Sequence, residues 1–356
     1  DFDIRWLWPA AENAGALCSC PISAQILTTA LQELIGQGST PFGVYVTSPD
    51  YLGGMQDIRA LSAVCDTFGM PLLVDNAHGA YLRFLPGEPL HPIALGAAMC
   101  CDSAHKTLPV VTGGAYLHLG ENAPVQEEAA VRGALALFGS TSPSYLILQS
   151  LDACNRVLAK TYPVGLQRCC ARLAALRGEL NAAAQAAGCP VPLALDGPGR
   201  EPLKLTLDAA ALGVTGTALA DALRGGQLEC EYADPRYVVL MFTPCNPPQD
   251  YARLRTVLRQ CLHGLPAAGG LPQPEELAGE FMALAQQARA HCTIRQAVFA
   301  PQERIPVQQA LGRICAIPTV SCPPAIPIAV SGEEITPAAL ELMQRYGVTE
   351  VSVLRR

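Results

Sequence analysis

The chain contains no uninterrupted apolar stretch of the roughly 18 residues that would suggest a membrane-spanning helix, although 50% of its 356 residues are hydrophobic. It also has no block rich in Lys and Arg, and its formal net charge is -7 at pH 7. Binding to nucleic acid needs clustered cations opposite the phosphates, so this composition argues against nucleic acid as the main partner. We therefore expect a cytoplasmic protein that binds neither nucleic acid nor a membrane.

The fifteen cysteines form no Cys-x-x-Cys motif, and the pair Cys18 and Cys20 lacks a second pair of ligands. A structural zinc site usually combines two such pairs, so we predict no metal site. Two further pairs are direct neighbours, at 100–101 and 169–170, and adjacent cysteines rarely form structural bridges. The sequence therefore predicts buried free thiols in a reducing cytosol.

The chain also lacks an initiator methionine, a signal-peptide pattern and any internal repeat. It begins with Asp1, and we expect it to be a processed or truncated fragment. Its length is still sufficient for two or three domains and a large hydrophobic core.

Short apolar runs alternate with helix-like stretches over residues 1–150, which indicates βαβ units and a mostly parallel sheet. A helix is predicted over 57–68 because apolar residues recur on one of its faces. In open α/β sheets ligands collect at the carboxyl ends of the strands. We therefore expect Thr47, Asp75 and the turn at 103–106 to converge in space. The predicted strands cover residues 43–48, 71–75, 97–101 and 114–119.

The remaining sequence divides into further segments. Residues 1–150 form the predicted large domain, and a helical, alanine-rich segment over 151–188 connects it to a smaller α+β domain over 189–265. The stretch 265–274 is rich in Gly, Ala and Pro and is the predicted linker. A C-terminal domain is predicted over 275–356.

The most informative pair of residues is Asp75 and Lys106. Asp75 ends one predicted strand, and Lys106 follows a later strand about thirty residues further along the chain. An acid can hold the pyridinium nitrogen of pyridoxal phosphate, and a lysine can form a Schiff base with its aldehyde. Taken alone, a lysine after a strand is usually solvated and an acid there usually caps a helix, so the wider pattern must decide.

Five separate runs resemble the Orn/Lys/Arg decarboxylase family of fold type I pyridoxal phosphate enzymes. They follow the family's order over nearly the whole chain, whereas a lone Ser-x-His-Lys run would carry little weight. The resemblance implies an α/β fold, with a fold type I transferase-like large domain that is mostly parallel and incomplete at its N-terminus, and a smaller α+β C-terminal region. The runs are Thr47-Ser48-Pro49-Asp50-Tyr51, Val74-Asp75-Asn76-Ala77-His78-Gly79-Ala80, Ser103-Ala104-His105-Lys106, Ser140-Thr141-Ser142-Pro143-Ser144-Tyr145, and Cys322-Pro323-Pro324-Ala325-Ile326-Pro327 with Gly332-Glu333.

The resemblance also implies roles for individual residues. Lys106 would be the Schiff-base lysine, Asp75 would hold the pyridinium nitrogen, and His78 would support catalysis beside the ring. Ser103 and His105 could instead only cap a turn, and the run at 140–142 could only begin a helix. The residues implied to bind pyridoxal phosphate are Lys106, Asp75, Ala77, Ser103, His105, Ser140, Thr141 and Ser142, of which the last three would reach the phosphate of a neighbouring subunit.

On this resemblance the chain would decarboxylate lysine, arginine or ornithine to the corresponding amine and CO2, as a homodimer or larger homo-oligomer. Two alternatives remain open. One is a non-catalytic or truncated homologue that acts as a binding or regulatory subunit. The other is a different reaction on the same cofactor, such as transamination or aldol cleavage, against which the family-like tail argues.

Two elements of the family pattern are absent ahead of Asp75, namely a small-residue loop for the cofactor phosphate and a histidine that stacks on the ring. Gly38-Ser39-Thr40 lies in a turn at the wrong place. The chain would therefore be either a fragment or a degenerate member of the family. We expect the chain as given to bind pyridoxal phosphate poorly and the complete protein to be active. Glu231 and Asp234 match a family-like stretch, but we expect them to form a solvated acidic edge. The histidines without a motif, predicted to be structural or surface residues, are His91, His118, His263 and His291.

Overall fold

The computed structural model describes residues 3–11, 15–139, 142–264, 274–318 and 326–355. Within these residues the strands form one four-stranded sheet and two three-stranded sheets. None of the helices in the described part of the chain is long and apolar enough to span a membrane.

The four-stranded sheet lies in the N-terminal part of the chain and has the order β1-β2-β3-β4. Strands β1, β2 and β3 run parallel, and β4 pairs with β3 in the antiparallel direction. The predicted mostly parallel sheet is therefore confirmed. The strands are β1 (Val44–Thr47), β2 (Leu72–Asp75), β3 (Met99–Asp102) and β4 (Tyr116–Leu119).

Helices α1 (Ala24–Gly36) and α2 (Ile58–Thr67) pack on one face of this sheet. Helix α2 begins where the Asp57 carboxylate accepts a hydrogen bond from the Ala60 N–H, which is the usual N-cap arrangement. Each apolar side chain buried here stabilises the fold by roughly 1.5–3 kcal/mol. The side chains that α2 and β1 bury in this core include Ile58, Leu61, Cys65, Val44 and Val46.

The opposite face of the sheet is much more exposed in the described part of the chain. Along β1 the buried residues Val44 and Val46 alternate with Tyr45, which is 65% exposed. Asp75 and Cys101 lie opposite each other in the register of β2 and β3 and share this face with Tyr45. Parallel sheets are usually covered on both faces, so this face is a surface on which further structure can pack.

A helical region follows the sheet. The predicted helical segment is two helices rather than one, because the chain turns at residues 159–161 and restarts with Pro163 in the first turn of the next helix. A preceding helix, α4, buries none of its residues. The one-turn helix α3 (Ala104–Thr107) lies between β3 and β4, and the helices that follow the sheet are α4 (Glu128–Phe138), α5 (Tyr145–Leu158) and α6 (Tyr162–Ala186).

The second sheet is antiparallel, in the order β5-β7-β6. Its strands pack with α6 and two later helices into one continuous hydrophobic core, which also includes residues 80–82 of the large domain. The connecting helices and the small sheet therefore share a core. The elements are β5 (Lys204–Asp208), α7 (Gly216–Gly225), β6 (Tyr232–Ala233), β7 (Tyr237–Met241) and α8 (Pro248–Gly264).

The C-terminal region has a hydrophobic core of its own and an antiparallel sheet in the order β8-β10-β9. Most of the predicted linker, residues 265–273, lies outside the described residues, and the four predicted domain boundaries stay a prediction. The elements are α9 (Pro274–Gln287), α10 (Ile294–Phe299), β8 (Gln302–Pro306), β9 (Cys315–Ile317), α11 (Pro337–Arg345) and β10 (Glu350–Leu354).

Candidate functional site

The candidate site lies at the carboxyl ends of β2 and β3, where parallel strands in open sheets present ligand-binding groups. Asp75 is the last residue of β2, and β3 leads through Ser103 into the one-turn helix α3 that carries Lys106. The parallel register of β2 and β3 brings these two ends side by side. The convergence expected from the sequence is therefore present in the fold.

Lys106 contacts His78, a residue of the loop that follows Asp75. The Lys106 Nζ and the His78 Nε2 lie 3.2 Å apart, with the lysine half-buried and the histidine 4% exposed. An ammonium group can only donate, so Nε2 accepts and the imidazole hydrogen is on Nδ1. That Nδ1 is buried and has no hydrogen-bond partner among the described residues. It is a donor available to a bound group.

The imidazole of His78 is neutral over the physiological range. Burial lowers its pKa to about 2, and the positive charges of Lys204 and Lys106 act in the same direction. A neutral imidazole beside the Lys106 amine can accept its hydrogen bond and orient it. The predicted supporting role of His78 is compatible with this contact and stays a prediction.

This buried imidazole should make stability depend on pH. In the unfolded chain the group protonates near pH 6.5, whereas in the folded chain it stays neutral. Below pH 6.5 the unfolded state binds more protons, so the free energy of unfolding falls as the pH falls, by at most about 1.4 kcal/mol per pH unit. Compared with the parent, His78→Gln should therefore lose about 2 kcal/mol less stability between pH 7 and 5.

Urea unfolding of the parent and the His78→Gln variant at pH 7 and pH 5 measures this difference. His291→Gln removes a 51% exposed imidazole that pairs with the Glu334 carboxylate, and this comparison variant should not reproduce the smaller pH dependence of His78→Gln. Equal pH dependence in the parent and the His78→Gln variant would contradict the buried neutral state.

Asp75 is held by two hydrogen bonds at the end of β2. Its Oδ1 accepts from the Ala77 N–H at 3.0 Å, and its Oδ2 accepts from the Tyr45 hydroxyl at 3.2 Å. The carboxylate is half-buried and forms no ion pair with Lys or Arg within the described residues. A carboxylate that is oriented but not neutralised suits a partner that carries positive charge, such as a pyridinium nitrogen.

Ser103 and His105 lie in the turn between β3 and Lys106. The His105 Nδ1 is 3.0 Å from the Gly114 carbonyl, and since a carbonyl only accepts, this nitrogen carries a hydrogen. The His105 Nε2 can then donate to a phosphate only if the ring is doubly protonated. The Ser103 side chain makes no capping bond to α3, which leaves it available for another acceptor.

The other predicted phosphate ligands fall elsewhere. Ser140 and Thr141 lie outside the described residues, and Ser142 is exposed just before α5. Their proposed contact with a neighbouring subunit stays a prediction. Ala77 is half-buried directly after the Asp75 strand end, where the resemblance places it against the ring.

The residues of the candidate site suit pyridoxal phosphate at its aldehyde and at its ring nitrogen. Lys106 has the amine that its aldehyde requires, Asp75 has the carboxylate that its ring nitrogen requires, and the buried Nδ1 of His78 has no hydrogen-bond partner among the described residues. At the phosphate end the described chain offers Ser103 and His105. The donor set therefore suits the cofactor best at its reactive end.

Three residues to which the sequence assigned no role in the site lie near His78, namely Tyr51, Glu231 and Lys204. The Tyr51 ring lies 4.7 Å from that of His78, and its hydroxyl donates to the Glu231 Oε1 at 2.7 Å. Lys204 lies 5.4 Å over the same Tyr51 ring and donates to the Asp50 carbonyl at 2.6 Å. Tyr51 belonged to a recognised run, but Glu231 and Lys204 lie more than 150 residues away from it, so no local signal revealed these two contacts.

The expectation of a solvated acidic edge is wrong for Asp234, which is 4% exposed. Its carboxylate accepts from the Tyr232 hydroxyl and from the backbone N–H groups of Arg236 and Tyr237, so it holds the turn between β6 and β7. Glu231 is half-buried and faces Tyr51 instead of open solvent. The two acids therefore have different surroundings.

Two of the motif-free histidines meet at a buried carboxylate. His91 Nε2 and His118 Nε2 lie 3.1 and 2.9 Å from the Asp102 Oδ2, and the Asn76 amide donates to Oδ1 at 2.6 Å. Burial raises the pKa of Asp102, but the hydrogen bonds from His118, His91 and Asn76 outweigh it and hold that pKa well below its usual range. Asn76 follows Asp75, so this carboxylate ties the two loops of the candidate site together.

The fold is shared with solved amino acid decarboxylases. The constitutive lysine decarboxylase of E. coli superposes with a TM-score of 0.71 at 18% identity, over 99% of this chain and 64% of that one. The lysine decarboxylase of Francisella novicida gives a TM-score of 0.71 at 16% identity, over 99% and 63%. The chain therefore has the decarboxylase form of the α/β fold, and the predicted fold class is confirmed.

Curated relatives give the same result at higher identity. An arginine decarboxylase of Bacillus subtilis (strain 168) is 30% identical over 304 residues, which is 83% of this chain and 59% of the relative. An arginine decarboxylase of Halalkalibacterium halodurans is 27% identical over 336 residues, 90% of this chain and 64% of the relative. The chain thus spans about three fifths of the length of these relatives.

Two family models match the chain in sequence order. The model for the Orn/Lys/Arg decarboxylase major domain matches residues 6–197, more than half of the chain, and the model for the C-terminal domain of the same family matches residues 277–348. The chain belongs to the Orn/Lys/Arg decarboxylase family. The resemblance drawn from the five sequence runs is therefore confirmed.

Proposed function

We propose that the protein decarboxylates a basic amino acid, lysine, arginine or ornithine, with pyridoxal phosphate as its cofactor. The observation that supports this most directly is the contact between Lys106 and a neutral, buried His78 beside Asp75, at the ends of two adjacent parallel strands. Membership of the decarboxylase family supports the reaction class.

The proposed chemistry assigns each residue one task. When bound, pyridoxal phosphate would accept the electron pair left behind as the substrate carboxylate departs as CO2. Lys106 would hold the cofactor aldehyde, and Asp75 would keep the ring nitrogen protonated. Once displaced by the substrate amine, the Lys106 Nζ would deliver a proton to the substrate α-carbon, with His78 Nε2 orienting it.

We propose that Glu231 recognises the cationic end of the substrate. It is half-buried, it is linked through Tyr51 to His78, and it forms no ion pair with Lys or Arg in the described part of the chain. A partly desolvated carboxylate without a cationic partner favours binding of a cation. Glu231 is connected to Lys106 only through Tyr51 and His78, which suits a substrate whose charge is distant from its α-carbon.

Replacing Glu231 should weaken substrate binding more than turnover. We expect Glu231→Gln to raise KM for the preferred basic amino acid by about 10- to 100-fold, the worth of one charged hydrogen bond, with a smaller change in kcat. Glu229→Gln, two residues away and exposed beside Arg224, is the matched control and should leave KM unchanged. An unchanged KM in Glu231→Gln would remove this residue from the substrate pocket.

An amine-product assay tests the function as a whole. The purified protein should release cadaverine, agmatine or putrescine from lysine, arginine or ornithine, and added cofactor should stimulate it. The alternative is a non-catalytic homologue that binds or regulates a partner. One observation favours it: His105 Nδ1 is hydrogen-bonded to the Gly114 carbonyl, so His105 is a weaker donor to the cofactor phosphate. Absence of amine product with saturating cofactor, from protein shown to be folded, would favour that alternative.

We also propose that the protein acts in the cytoplasm as a homodimer or larger homo-oligomer. The cysteines within the described residues are all free thiols, which suits a reducing compartment. Large apolar side chains around α4 and the start of α5 are strongly exposed, as interface residues are in a separated subunit. They are Leu135, Leu137, Phe138, Tyr145 and Leu146.

A further inference from the structure

A compact group of potential metal ligands lies on the face of the sheet opposite Asp75. We name it the β3–β4 cluster and define it as His91, Cys100, Asp102 and His118. Cys100 and Asp102 alternate with the exposed Cys101 along β3, so their side chains point to the buried face. His118 comes from β4, and His91 precedes a short 3-10 helix at residues 92–95. Three separate segments therefore converge there.

Three donor atoms of the β3–β4 cluster, one each from His91, Cys100 and Asp102, lie within 4.8 Å of one another. The Asp102 Oδ2 is 3.1 Å from the His91 Nε2 and 2.9 Å from the His118 Nε2, and the Cys100 Sγ is 3.9 Å from the His91 Nε2. With bonds of about 2.0–2.3 Å, ligand atoms around Zn²⁺ lie about 3.3–3.6 Å apart. The ligand atoms of His91, Cys100 and Asp102 can therefore close around one ion, and His118, whose Nε2 contacts the same Asp102 oxygen, is the candidate for the fourth ligand.

We propose that the β3–β4 cluster binds one Zn²⁺ ion, a site separate from the cofactor site. Two imidazole nitrogens, a carboxylate oxygen and a thiolate form a donor set that suits zinc. His91, Cys100 and Asp102 are each less than 5% exposed, which is typical of a closed structural site. No metal site was predicted from the sequence, since it has no Cys-x-x-Cys pair. The sheet, and not a local motif, brings these ligands together.

The surroundings of the β3–β4 cluster support an ion. The Asn76 amide holds the Asp102 Oδ1, which leaves Oδ2 directed at the two histidines, as outer hydrogen bonds do for metal-binding carboxylates. A cavity of about 410 Å³ is lined by His91, Asp102 and His118 and offers an entry path. The partly exposed His118 lies at its rim.

Binding requires a defined change in protonation. The Cys100 thiol must lose its proton to solvent, and each histidine must carry its hydrogen on Nδ1 so that Nε2 can bind the ion. Without an ion, the same histidines donate to Asp102 and form a hydrogen-bonded network. These two states differ in a measurable way, because only the first contains a metal–thiolate bond.

A bound ion would fasten β3 to β4 directly behind the turn that carries Lys106. The metal site is independent of the decarboxylase reaction, because its ligands lie on the opposite face of the sheet. Its test therefore uses metal binding by the purified protein as the readout, without any activity measurement.

Cobalt is the probe for this site. Protein stripped with a chelator and dialysed is titrated with Co²⁺, and we expect saturation near one equivalent with the intense d–d bands of tetrahedral Co²⁺ and a thiolate charge-transfer band. Added Zn²⁺ should abolish both. Cys100→Ser should remove the charge-transfer band. It should also weaken Zn²⁺ binding by about 10- to 100-fold, measured by competition with a chromophoric chelator.

Cys101→Ser is the matched control, because this neighbouring thiol is exposed on the other face and should leave both signals unchanged. If Cys100→Ser fails to fold by circular dichroism, the partly exposed His118→Gln provides the second variant and should lose the tetrahedral spectrum. No cobalt spectrum in the parent protein, or a spectrum that persists in both folded variants, would overturn the proposal.

Discussion

The Lys106→Ala variant is expected to lose covalent attachment of pyridoxal phosphate and to lose decarboxylation by at least about 10²–10⁴-fold. The amine is half-buried on the one-turn helix α3, and its contact within the described residues is the His78 nitrogen. Among the described residues Lys106 forms no ion pair and is only half-buried, so the variant should remain folded. Borohydride reduction with cofactor, followed by peptide mapping, measures the attachment.

The composition of the chain makes this experiment unusually clear. The sequence has only three lysines, Lys106, Lys160 and Lys204. Lys160 is exposed, so Lys160→Ala is the matched control and should retain attachment and activity. Lys204 is 3% exposed and donates to a backbone carbonyl, so it is poorly placed to react. Labelling at Lys204, or activity that survives in Lys106→Ala, would contradict the assignment.

Asp75→Asn should reduce kcat by about 10²–10³-fold, with a smaller effect on stability. The neutral amide keeps an oxygen for the Ala77 N–H, so the strand end can retain its shape. It cannot balance a positive charge on the ring nitrogen, and electron withdrawal from the substrate would fall accordingly. Steady-state amine production and the absorption spectrum of the cofactor-loaded protein both report this change.

The Tyr45 hydroxyl provides the control for Asp75. Tyr45→Phe removes the hydrogen bond to Oδ2 but leaves the carboxylate charge, so kcat should fall by no more than about tenfold. If Tyr45→Phe and Asp75→Asn lose activity equally, orientation of the carboxylate rather than its charge is what matters, and the proposed role of Asp75 is wrong.

The sequence predicted those parts of the structure that depend on short segments. The alternation of apolar runs and helix-like stretches predicted the parallel strands β1 to β3. The helix predicted over 57–68 agrees with α2, because its apolar residues recur with a regular helical period. The placement of Asp75 and Lys106 after adjacent strands of one sheet also followed from the sequence, whereas their joint role at a cofactor stays a prediction. Such features are encoded in neighbouring residues and are legible without tertiary contacts.

The parts that the sequence could not predict depend on contacts between distant segments. Tyr51 and Glu231 are 180 residues apart, and no local pattern connects them. Asp234 looked like a surface acid because its partners are mostly backbone N–H groups of a turn. His91 and His118 acquire a common partner only when β3 pairs with β4. Burial of polar groups is decided by the assembled fold, which local pattern does not record.

The open edges of the first sheet have a practical consequence for work with this chain. In the described residues β1 and β4 each pair on one side only, and Tyr45 projects from the uncovered face. An unpaired strand presents a row of amide donors and acceptors to which a strand from another molecule can add. We therefore regard protein concentration as the variable to watch during purification, since filament-like association along these edges would scatter light before any loss of secondary structure became visible.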